Sequence, residues 1–85
     1  MLENKLYFEV EAIYFDISTE KDEIWICKNP NMYEKEEATN IKKIAFQMIE
    51  DEFGKQKIFI KKAIIKLYEV EKNKLISCET IINNN

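Results

Sequence analysis

Eighty-five residues leave room for one hydrophobic core and no second domain. With 46% apolar residues and a single Gly and Pro, disorder and low complexity are excluded, and the expected net stability is about 5 kcal/mol. The net charge of -3 divides as -5 over residues 1–27, -2 over 28–54 and +4 over 55–85; every base is Lys, with no Arg and no His.

Glu3, Asn4 and Lys5, followed soon by Glu9 and Glu11, are unlike a signal peptide. No stretch reaches the roughly 20 apolar residues that cross a bilayer, so a cytoplasmic protein that does not engage membrane is expected. Leu6, Phe8 and Val10 alternate with polar neighbours, after which the apolar phase moves to Ile13, Phe15 and Ile17. A period-2 pattern that slips in this way predicts a strand with a bulge near Glu11 and Ala12. Ser18 to Glu23 read as a hairpin loop and Ile24 to Cys27 as the returning strand.

Asn29, Pro30 and Asn31 break that strand, and Asn31 with Glu34 has the spacing of a capping box. Ala38, Ile41, Ile44, Ala45, Met48, Ile49 and Phe53 then recur at helical spacing, and Gly54 suits a positive-φ cap. The spacing predicts a helix over residues 32–53, about 33 Å long, with an apolar arc of about 200° that includes Phe46. Residues 57–70 read as a long strand bent near Lys61 and Lys62. Asn73 sits in the next turn, and Leu75 to Ile82 return as a fourth strand. Asn83, Asn84 and Asn85 read as a disordered tail.

The expected fold is therefore α+β over residues 1–82. It is a two-layer ββαββ arrangement in which two β-hairpins form a mainly antiparallel four-stranded sheet packed on one long amphipathic helix. Glu9 and Glu11 carry charge opposite to Lys61 and Lys62, as strands lying side by side would require. Cys27 and Cys78, in alternating apolar stretches, suit buried, reduced thiols.

The chemical inventory points away from catalysis. Without His the chain lacks the ordinary neutral-pH base and the commonest zinc ligand, and two cysteines cannot complete a tetrahedral site. Gly54 alone makes no phosphate cradle, so no enzyme, metal or cofactor is expected. The lack of Arg removes the fork that reads guanine or clamps phosphate, which disfavours direct nucleic-acid binding. The element order also departs from that of RNA-binding sheets of the RRM type.

One helix covers one face of a sheet, so the other face must meet solvent or a partner. Tyr7, Tyr14, Trp25 and Tyr68 are candidates for that face or its edges, with Phe46 on the far flank of the helix. Glu9, Glu11, Asp16, Glu20, Asp22, Glu23, Glu34, Glu36 and Glu37 form an acidic candidate surface for a basic partner, such as a nucleic-acid-handling host protein. No family motif is present. The small, acidic, chemistry-free profile is similar to that of phage or mobile-element inhibitors of host defence nucleases, anti-CRISPR proteins among them. The expected function is a non-catalytic protein-binding inhibitor or regulator. The alternatives are a homodimeric accessory protein using the open sheet face and a weak single-strand nucleic-acid binder using the Lys-rich second hairpin.

Overall fold

The structure is a computed structural model that describes residues 4–84; Met1 to Glu3 and Asn85 lie outside the described residues. The chain forms β1 (Lys5–Asp16), β2 (Lys21–Lys28), the two-residue β3 (Tyr33–Glu34), α1 (Ala38–Phe53), β4 (Ile60–Glu69) and β5 (Lys74–Asn83). This is an α+β domain, an antiparallel sheet in the order β2-β1-β4-β5 with one helix against it. β3 pairs with Lys5 and Leu6 of β1, beyond the end of β2.

β1 keeps one phase over its length. Leu6, Phe8, Val10 and Ala12 are buried toward the helix. Its pairing with β2 runs without interruption from Glu9 opposite Lys28 to Asp16 opposite Lys21. The bulge expected at Glu11 and Ala12 is absent. The irregularity lies on β4, where Ile13 faces Lys62 and Tyr14 faces Ile60, leaving Lys61 as the extra residue. Ile13 and Phe15 consequently project from the face opposite to Phe8 and Val10.

The helix contributes Ile41, Ala45 and Ile49 to the core, against Phe8, Val10 and Ala12 of β1 and Ile60, Ala63 and Ile65 of β4. Their spacing is the i, i+4, i+8 stripe that keeps one face of a helix on a sheet. Lys42 also reaches Glu79 of β5 at 2.7 Å. The helix starts later than residue 32. Tyr33 is buried against Phe8, with ring centroids 5.6 Å apart, and its pairing with β1 keeps the backbone extended through Glu34. A 3-10 turn at Lys35–Glu37 follows, in which Glu37 accepts the Glu34 N–H at 2.8 Å. Asn31 does not cap the helix; its N–H donates to Asn29 Oδ1 at 2.9 Å.

At the other end Gly54 has φ +52°, a backbone state that side-chain-bearing residues rarely adopt, and its N–H closes onto Glu50. The chain then continues in a 3-10 turn, Gly54–Phe59, so Lys57 to Phe59 precede the strand instead of opening it. Asn73 takes φ +51° in the last turn. Asn83 closes β5, and the Asn84 N–H donates to the Lys61 carbonyl at 2.8 Å; both are bound into the sheet, in place of the tail expected there. Cys27 is half-buried and Cys78 exposed, on the two opposite edge strands, so neither is the buried thiol expected from its alternating stretch. No helix of the described residues is long and apolar enough to cross a membrane.

Candidate functional site

The face of the sheet away from the helix is assembled by register. Residues directly opposite one another in antiparallel strands point to the same side. Ile24 therefore lies beside Ile13, and Ile13 beside Lys62. The next rows are Ile26, Glu11 and Ile64, then Lys28, Glu9 and Lys66, then Tyr7 and Tyr68. Ile13, Ile24, Ile26 and Ile64 thus make an apolar stripe across three strands. Ile24 and Ile26 are 61% and 57% exposed. Glu11, Ile13, Lys62 and Ile64 border a shallow depression of about 160 Å³ on the same face.

Paired charges and stacked rings surround the stripe. Glu11 Oε2 holds Lys66 Nζ at 2.8 Å, and Asp22 Oδ2 holds Lys61 Nζ at 2.8 Å. The Tyr68 hydroxyl donates to Glu9 Oε1 at 2.9 Å. Tyr7 and Tyr68 stack with centroids 4.8 Å apart, and Lys28 Nζ sits 4.4 Å from the Tyr7 ring centre. The Tyr7 hydroxyl also bonds Asn73 Oδ1. The hydrogen bond to Glu11, and then its negative charge, hold Lys66 above the ordinary lysine value. Desolvation raises the Tyr68 phenol, and the hydrogen bond to Glu9 raises it further.

The aromatic candidates separate. Tyr7 and Tyr68 lie on the open face. Tyr14 and Trp25 lie on the helix side, edge-on to Phe53 at 5.0 and 5.4 Å, so neither is on the open face; Trp25 does sit on an edge strand, β2, whereas the expectation for Tyr14 is corrected. The single phase of β1 is the reason: Tyr14 shares the side of Ala12, and Trp25 stands opposite Ala12. Phe46 is 41% exposed on the helix.

The acidic candidates do not gather into one field. Glu9, Glu11 and Asp22 belong to the open face and have partners there. Asp16 accepts from the hydroxyl and N–H of Ser18 at 2.7 and 2.9 Å, which lowers its pKa and orders the turn after β1. Glu34 pairs with Lys5, and Glu37 accepts the Glu34 N–H. Glu20, Glu23 and Glu36 make no ion pair among the described residues. Much of the acidic charge is therefore answered within the fold. β1 and β4 do lie side by side, but the expected pairing of Glu9 and Glu11 with Lys61 and Lys62 is not formed: Glu11 reaches Lys66, and Lys61 reaches Asp22 on β2.

Sequence reasoning missed the isoleucines. Its signal was present in Ile24-Trp25-Ile26, since consecutive apolar residues on a strand put apolar surface on both faces. A second concavity, about 370 Å³, lies between the end of β1 and the helix C-terminus, lined by Tyr14, Phe15, Phe53 and Phe59 with Asp16 and Glu52. No group of three or more His, Cys, Asp or Glu suited to a metal ion occurs among the described residues. No family model, curated protein or solved structure matches the chain.

Proposed function

We propose that the chain is a non-catalytic protein-binding domain, an inhibitor or regulator, that seats its partner on the open sheet face around Ile13, Ile24, Ile26 and Ile64. The observation that carries this reading is the pair Ile24 and Ile26. Both are more than half exposed on the face that the helix leaves bare, although the core is already filled from the other side. An apolar centre bordered by Glu11, Lys62, Lys66 and Tyr68 has the composition of a protein contact, with an apolar middle and a polar rim.

Glu20 and Glu23 at the hairpin end, which make no ion pair among the described residues, supply negative charge that favours approach of a basic partner, in keeping with a host protein that handles nucleic acid. The proposed setting is cytoplasmic, which suits two free thiols. Direct nucleic-acid binding is the weaker reading, because Lys61 and Lys66 are already engaged by Asp22 and Glu11. The test is affinity capture from host lysate with the wild-type chain and with Ile24→Lys/Ile26→Lys. A specific protein held by the first and lost by the second is expected. Capture that the double variant leaves undiminished, or no specific capture by wild type, overturns the proposal.

A further inference from the structure

β2 forms one edge of the sheet, and its pairing with β1 shows no register shift. The other edge, β5, has two register shifts against β4, and such bulges blunt an edge against further pairing. The Asn29 N–H donates to the Phe8 carbonyl at 2.9 Å, continuing the β1/β2 register by one pair. Antiparallel ladders alternate, so Lys21, Glu23, Trp25 and Cys27 direct their backbone groups to β1. Asp22, Ile24, Ile26 and Lys28 direct theirs outward, where the described sheet has no neighbour.

We infer that this edge pairs with β2 of a second copy, antiparallel, about a two-fold axis at Trp25. A ladder closes only where outward-facing residues meet outward-facing residues, which restricts the choice of register. Centred on Ile24, the pairing sets Asp22 against Ile26. Centred on Ile26, it sets Ile24 against Lys28. Centred on Trp25, it sets Asp22 against Lys28 and Ile24 against Ile26, each twice by symmetry. Of these three, only the last matches charge with charge and isoleucine with isoleucine. It closes about eight backbone hydrogen bonds and joins the two open faces into one surface with both helices on the other side. On the helix side Glu23 stands opposite Cys27 of the other copy.

This goes beyond the open-face reading, and either can fail without the other. The test is sedimentation equilibrium of the full chain, read with Asp22→Lys, Lys28→Asp and the variant carrying both, each checked for folding by circular dichroism. A dimer in the micromolar range is expected. Each single reversal should weaken it roughly tenfold, since each sets two like-charged pairs opposite one another. The double reversal should recover most of the loss, because the two-fold exchanges the swapped charges; the remainder reflects the ion pair to Lys61 that Asp22→Lys removes within each copy. Independently, Glu23→Cys in a Cys78→Ser background should give a covalent dimer under mild oxidation that Cys27→Ser abolishes. This crosslink decides the matter if a charge variant does not fold. A monomer up to submillimolar concentration, a dimer indifferent to both single reversals, or absence of the Cys27-dependent crosslink overturns the inference.

Discussion

Tyr33 and Asn29 form a buried polar pair beneath the turn that leaves β2, with the Tyr33 hydroxyl donating to Asn29 Oδ1 at 3.0 Å. Asn29 is 7% exposed, and the same oxygen accepts the Asn31 N–H. One side chain therefore satisfies both the phenol that β3 carries into the core and the turn that brings it there.

Asn29→Ala should be costly because it strands the Tyr33 hydroxyl. The expected loss is about 1–3 kcal/mol, the penalty for a buried donor without a partner. Tyr33→Phe removes the donor and should cost less. In the Tyr33→Phe background the further loss on Asn29→Ala should shrink. Urea unfolding of the four proteins measures that coupling as a double-mutant cycle.

Alkaline pH should weaken the fold through the open-face network. Lys66 and Tyr68 both have folded-state pKa values raised above their ordinary ones. A raised value means that the folded state favours the protonated form. The associated stability is fully present below the unfolded values, near 10, and is lost as pH rises through the folded values. The thermal midpoint should stay level between about pH 7 and 9 and fall above about 10, with a smaller fall in Tyr68→Phe. Asp16 acts in the opposite range. Its lowered pKa makes its turn contribution present above about pH 4 and lost in stronger acid. Melting curves across pH, with ultraviolet titration of the phenols, provide the check.

The two faces of the sheet should respond to substitution in opposite ways. Ile49 is 2% exposed in the core, and Ile49→Ala should cost about 2–5 kcal/mol of stability. Ile26→Ser, on the open face, should change stability by no more than about 0.5 kcal/mol. Equal losses in denaturant unfolding would show that the open face is part of the folding core and would remove the support for binding there.

Much of the architecture was legible from local pattern. The helical recurrence from Ala38 to Phe53 ends where Gly54 turns the chain, because φ +52° combined with ψ -125° at that position is a backbone state that favours glycine. Asn73 was readable as a turn residue for the same backbone reason. The bend near Lys61 was visible as a break in alternation on β4. The apparent break on β1 was not a bulge: Val10 to Ile13 looked like one face slipping, yet Ala12 is the inward residue and Ile13 points to the other side. Alanine carries too little hydrophobic signal to mark a core position, although here Ala12 pairs with Ala63 and both are fully buried.

The sequence by itself determined that one helix and two hairpins would share a small core, and that no histidine chemistry would be present. Both follow from periodicity and composition, which are local properties of the chain. Only the tertiary structure decided that Tyr14 and Trp25 face the helix and Ile24 and Ile26 do not. It also decided that Glu11 meets Lys66, Asp22 meets Lys61, and Tyr33 leaves the expected helix to pair with β1. These outcomes depend on strand register, and a shift of one residue exchanges every side chain between faces. The β1–β4 register is set by contacts between residues far apart in the chain, and the β1–β2 register by how the turn after Asp16 closes the hairpin.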